Sequence, residues 1–128
     1  MDGTYVRGDK ALLEVGVMKA ANYLVESKAI DVKVIDLDGH SSIADYFVVA
    51  TVTSYAQLRG LVRGLQEHLA EKGIPIKSGA KHLTEDIWTL LDCEYFLVHL
   101  MTEEAREFYG LEKLWFEGKL LKIPQQDS

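Results

Sequence analysis

A chain of 128 residues with 48% apolar and 27% charged side chains and only two prolines carries enough apolar material for one core, which excludes a disordered or fibrous protein. Twenty acidic against fourteen basic side chains leave a net charge of −6, so attraction to phosphate backbones is excluded as the basis of tight nucleic-acid binding. A basic protein partner suits that charge better.

Residues 1–9 mix Gly, Asp and Arg without periodicity and are expected to form a flexible N-terminus. From Lys10 to Ser27, Leu13, Val17, Ala20, Ala21 and Leu24 recur at helical spacing, which predicts an amphipathic helix with one core face. Asp31 to Leu37 alternates as a strand, and Asp38-Gly39-His40-Ser41-Ser42 reads as a turn into a second, antiparallel strand. That second strand, Tyr46-Phe47-Val48-Val49-Ala50-Thr51-Val52, is apolar without alternation, the pattern of a strand covered on both faces. Ser54 stands three residues before Gln57, at capping-box spacing, and opens a second helix with Leu58, Leu61, Val62, Leu65 and Leu69 on one face. Gly73 is placed to close it in a left-handed conformation.

Ile74-Pro75-Ile76 is predicted as a short edge strand, Ser78 to Asp86 as a polar connection, and Ile87 to Leu91 with Tyr95 to Met101 as a hairpin around Asp92-Cys93-Glu94. Thr102 with Glu103 and Glu104 predicts a cap and the acidic first turn of a last helix carrying Leu111, Leu114 and Trp115. The expected fold class is α/β: one domain over residues 10–117 with a mixed five-stranded sheet flanked by helices, and a tail over residues 118–128. No apolar run approaches the ~20 residues that cross a bilayer. The single cysteine, Cys93, fits a reducing compartment, and the N-terminus shows neither a signal-peptide core nor an Arg-rich leader pattern. A cytoplasmic location is expected, or an organelle matrix if a leader has been removed.

Few residues offer chemistry. Asp36 and Asp38 stand two apart at a strand end, where both carboxylates can face one way, as a magnesium-nucleotide site requires. Asp-x-Asp before glycine is also an ordinary turn, and no phosphate cradle accompanies it. His40, His68, His82 and His99 lack metal-ligand spacing with one another or with Cys93. His99 sits in an apolar strand, where a histidine is usually a hydrogen-bonded core residue. Asp92 and Glu94 should raise the pKa of the Cys93 thiol, Ser54 lacks a nucleophile elbow, and Val52-Thr53 replaces any glycine-rich phosphate loop. Arg59, Arg63 and Glu67 read as a solvated row on the second helix. Tryptophan is enriched at interface centres, so Trp88 stays open between core and interface, whereas Trp115 shares a face with Leu111 and leans to burial.

Ordered matches along the chain go further than any of these. Asp31-Val32 with Ile35-Asp36, Asp45-Tyr46-Phe47-Val48-Val49-Ala50-Thr51 with Thr53-Ser54, Trp88 with Leu90-Leu91-Asp92, Val98-His99, Arg106-Glu107-Phe108-Tyr109, Leu111-Glu112 and Leu114-Trp115 resemble the ribosomal silencing factors of the Iojap type. The resemblance implies a fold related in topology to nucleotidyltransferases without their catalytic residues, no cofactor, and a non-enzymatic translation repressor. Such a factor binds the large ribosomal subunit through its ribosomal protein fourteen and blocks joining of the small one. It further implies a partner surface of Trp88, Asp92, His99, Tyr109, Glu112 and Trp115, led by Trp88, with no direct recognition of nucleic acid and no membrane. The chain departs from the family pattern at Val52, in place of a glycine, at Ser78-Gly79, in a longer connection to Trp88, and at Glu94-Tyr95, where Gly-Asp is customary. A metal-dependent nucleotidyltransferase using Asp36 and Asp38 is the rival reading, and a self-associating homodimer scaffold the third.

Overall fold

The computed structural model describes residues 10–37, 44–74, 76–77, 81–84, 88–110 and 118–123. The elements run α1 (Lys10–Glu26), β1 (Ile30–Asp36), β2 (Tyr46–Val52), α2 (Tyr55–Glu71), β3 (Lys81–Thr84), β4 (Trp88–Asp92), β5 (Phe96–Thr102), α3 (Glu103–Tyr109) and β6 (Lys119–Leu121). The strands form one sheet in the order β3-β4-β5-β2-β1-β6. All neighbours are antiparallel except the central pair β2–β5, which is parallel. The expected mixed sheet flanked by helices is present, and the two expected antiparallel hairpins, β1–β2 and β4–β5, are among its pairs.

All seven residues of β2 are buried, because each face of the sheet carries its own core. Leu13, Val17 and Leu24 of α1 and Leu58, Leu65 and Leu69 of α2 pack on Val34, Val48, Ala50, Val98 and Leu100. On the opposite face Ile35, Phe47, Val49, Leu97 and Met101 pack together, with Ala105 of α3 against them and Trp88 and Leu90 half-buried beside them. The buried face of α1 consists of Leu13, Gly16, Val17, Ala20, Ala21 and Leu24, which is the expected stripe with one glycine added. In α2, Val62 is only partly buried.

The helix ends follow from local hydrogen bonding. Ser54 Oγ accepts from the Gln57 N–H at 3.0 Å, as the spacing predicted. The Gln57 side chain reaches one residue further back than in a standard capping box and accepts from the Thr53 N–H at 2.7 Å. At the other end the Gly73 N–H donates to the Ala70 carbonyl and the Ile74 N–H to the Leu69 carbonyl. Gly73 has φ +74°, and together these form a Schellman closure. Thr102 Oγ1 accepts from the Ala105 N–H at 3.2 Å and opens α3.

Two expectations about strands need correction. Ile74 and Ile76 lie outside any strand: Ile74 is apolar because its side chain is buried under α2 in the first core while its N–H closes the helix. The edge strand is instead β3, drawn from the stretch expected as a polar connection and paired with β4. The sheet also gains a sixth strand from the expected tail, as Lys119, Leu120 and Leu121 pair with Asp36, Ile35 and Val34. Ile123 is buried in the first core, so the folded unit extends past the boundary drawn at residue 117.

Candidate functional site

Alternation along β4 points Trp88, Leu90 and Asp92 to one face and buries Thr89 and Leu91 on the other. Opposite them in register on β5 stand Met101, His99 and Leu97, so His99 lies on the same face as Trp88. The Trp88 Nε1–H donates to His99 Nδ1 at 3.1 Å, with ring centroids 5.9 Å apart. His99 itself is 5% exposed, and Phe47 meets its ring edge-on at 4.7 Å. Burial holds the imidazole neutral by lowering its pKa to about 4.

The structure therefore gives the sequence-derived residues different roles. Trp88 is half-buried, with its indole N–H already engaged. Asp92 shares the Trp88 face, and its Oδ1 accepts from the Glu94 N–H at 2.9 Å, pinning the hairpin turn. His99 lies behind Trp88 rather than beside it on the surface. Tyr109 ends α3. Glu112, Trp115 and Asp38 lie outside the described residues.

Asp36, the carboxylate of the rival reading, is 5% exposed and pairs with Lys10 Nζ at 2.6 Å. An ammonium thus occupies one oxygen of the group that a metal would need. Beside it the Tyr46 hydroxyl donates to Glu14 Oε2 at 3.1 Å, and burial together with that carboxylate pushes the phenol pKa well up. Cys93 is fully buried, and its thiol is pushed to about 12, by burial first and by Asp92 second. The upward direction is the one expected from the flanking carboxylates, but burial outweighs Asp92.

A cleft of about 580 Å³ opens where β2 and β5 end side by side, lined by Ile30, Asp31, Thr51–Thr53, Thr102–Glu104, Arg106 and Glu107. This is a topological switch point, since α2 follows β2 onto one face of the sheet and α3 follows β5 onto the other, and open α/β sheets favour ligands at such a place. Four carboxylates and one guanidinium line it, and that balance repels phosphate rather than cradling it. Arg106 is 4% exposed, and its Nη1 donates to the Asp31 carbonyl at 2.8 Å and to Thr51 Oγ1 at 2.9 Å, while Nη2 lies 3.4 Å from Asp31 Oδ2. Sequence reasoning assigned this residue no task. An arginine in an amphipathic helix gives no signal that it is turned inward, and only the apolar-poor α3 sequence beside it offered a hint.

Among the described residues no group of three or more His, Cys, Asp or Glu is placed to hold a metal ion, and no helix is long and apolar enough to cross a membrane.

Comparison with known proteins agrees with this architecture. A family described as ribosomal silencing factor during starvation matches residues 12–128. The ribosomal silencing factor of Bacillus subtilis is 31% identical over 114 residues, covering 89% of this chain and 92% of its own. That of Treponema pallidum is 38% identical over 96 residues, covering 74% and 85%. A mouse protein named for mitochondrial assembly of the ribosomal large subunit is 34% identical over 78% of this chain and 46% of its own. A crystal structure of a Chromobacterium violaceum protein superposes with a TM-score of 0.74 at 28% identity, covering 80% of this chain and 85% of the other. One from Bacillus halodurans gives 0.68 at 27%, covering 90% and 100%. With the match running through both cores, the β4–β5 hairpin and α3, the chain belongs to the family of ribosomal silencing factors.

Proposed function

We propose that this protein represses translation as a steric plug without covalent chemistry, docking on the large ribosomal subunit through ribosomal protein fourteen and so preventing the small subunit from joining. The observation that carries the reading is Trp88: a large aromatic half-buried on β4, with its polar atom already satisfied from behind, is the kind of side chain that anchors interfaces. Asp92 on the same strand face and Tyr109, Glu112 and Trp115 in and beyond α3 complete the proposed surface. The net charge of −6 favours a basic protein partner. The family name and the large-subunit wording in the name of the mouse relative support the same direction. We place its action in the cytoplasm, where subunits meet.

A standard interface of about 1,600 Å² total is sufficient for stable docking. Truncating a central aromatic anchor costs about 2 kcal/mol or more, roughly thirtyfold in affinity. Trp88→Ala should therefore remain folded, lose cosedimentation with purified large subunits in a sucrose gradient, and no longer inhibit subunit reassociation. Undiminished cosedimentation of the variant would remove Trp88 from the interface.

A further inference from the structure

We propose that His99 is a positioning residue for Trp88: it accepts the indole N–H and so presets the ring for the partner, without touching the partner itself. The inference rests on the reading of Trp88 as the anchor. An indole nitrogen only donates, so Nδ1 of His99 is the acceptor at 3.1 Å and the ring proton resides on Nε2. His99 is 5% exposed, which leaves no area for a partner to contact. Its ring is held in turn by the edge-on Phe47 ring at 4.7 Å and by the register that sets it opposite Leu90, one step along the same face from Trp88.

Packing alone does not account for a histidine here. Its neighbours along β5 are Leu97, Val98, Leu100 and Met101, all buried. Nε2 is buried with no hydrogen-bond partner among the described residues. Leucine or phenylalanine would fill the same layer without an orphaned polar atom. Among the described residues, the one hydrogen bond of the imidazole that those side chains cannot make is the one it accepts from the Trp88 N–H. Fixing a half-buried tryptophan before contact removes part of the ordering cost of association.

The test uses the full chain, 15N-labelled, with the two indole N–H signals told apart by a separate Trp115→Phe sample used for assignment alone, and with all binding measured on chains that keep Trp115. In this protein the Trp88 indole N–H should exchange slowly with solvent. In His99→Phe it should exchange faster and shift its resonance, while binding to purified large subunits weakens about five- to tenfold. His99→Asn, whose side-chain oxygen can replace Nδ1, should restore much of both. In a Trp88→Phe background, which lacks the N–H, His99→Phe should weaken binding no further. An unchanged indole signal in His99→Phe overturns the proposal. So does a freed indole with unchanged affinity, provided Trp88→Ala abolishes binding; that pair of results spares the anchor. Full binding by Trp88→Ala overturns the anchor reading and this proposal with it. If His99→Phe does not fold, Trp88→Phe removes the same bond from the other side, and unchanged affinity there is the refuting result.

Discussion

Replacing Arg106 by methionine isolates the buried guanidinium that ties α3 to the sheet. Methionine keeps most of the stem and removes the donors. The register of β1 on β2 shifts between Ile30 and Lys33, and Asp31 sits in that irregularity with φ +49°. The strained segment is held from above by Arg106 Nη1, which bonds the Asp31 carbonyl at 2.8 Å and Thr51 Oγ1 at 2.9 Å. Hydrogen bonds to a charged group contribute about 1.5–3 kcal/mol each. Two of them, partly replaced by water after α3 loosens, put the loss at about 3–5 kcal/mol. The ion pair to Asp31 at 3.4 Å adds little, because that carboxylate is half-exposed and screened. With a urea m-value of about 2 kcal/mol/M, the unfolding midpoint should fall by about 2 M. Arg106→Lys, which keeps the charge but not the fork, should fall between the two. A loss below about 1 kcal/mol in Arg106→Met, at unchanged m-value, would mean that the guanidinium merely fills space and α3 is held by Ala105 and its apolar neighbours.

Gly64 lies inside α2, and a methyl group there would collide with the Tyr23 hydroxyl, the far end of a half-buried side chain stacked on His68; displacing that ring should offset the roughly 1 kcal/mol of helix propensity that Gly64→Ala gains, so in the same melts the substitution should stabilise the Tyr23→Phe background but not the natural one, and an equal change in both would refute the collision. Cys93, buried with its thiol at about 12, should resist a disulfide reagent at pH 8 in the native state and react at once in urea; rapid native labelling would contradict its burial. For His99 the folded pKa of about 4 lies below the ordinary value of 6.5, so the unfolded chain takes up the proton first as pH falls. Its contribution is fully present above pH 6.5 and is lost on the way down to pH 4, amounting to about 3 kcal/mol. His99→Asn should flatten the stability-versus-pH curve of the wild type over that window, and parallel curves would show that the imidazole is not buried neutral.

Where local rules act alone, the sequence was legible. The stripe from Leu13 to Leu24, the Ser54 and Thr102 caps and the Gly73 closure each depend on a few adjacent residues, and each is found as expected. The seamless apolar run of β2 announced two covered faces. Edge strands were the failure. Ile74 and Ile76 have strand-like chemistry but serve a helix end and a core. Lys81-His82-Leu83-Thr84 has none, yet pairs with β4, because an edge strand needs backbone partners more than an apolar pattern. The face of Trp88 stayed open in the sequence and Asp92 read as part of the hairpin turn; only the alternation along the folded β4 puts the two on one strand face. The inward turn of Arg106 and the place of His99 behind the tryptophan depend on partners 55 and 11 residues away, and no local pattern encodes such contacts.

The parallel pairing at the centre of the sheet has a consequence for how the molecule assembles. Tyr46 stands beside Phe96 and Val52 beside Thr102, so every rung of that ladder joins residues 50 positions apart. The β1–β2 and β4–β5 pairs are far more local and can form early. Until β5 arrives, however, Val48, Val49 and Ala50 have no neighbour on one side, and their backbone edge is a sticky apolar ribbon. Joining the two hairpins is the step that bears the loop-closure entropy and sets the folding rate. Substitutions that weaken the β2–β5 ladder should therefore slow refolding, while those in α3, which docks afterwards, should chiefly speed unfolding.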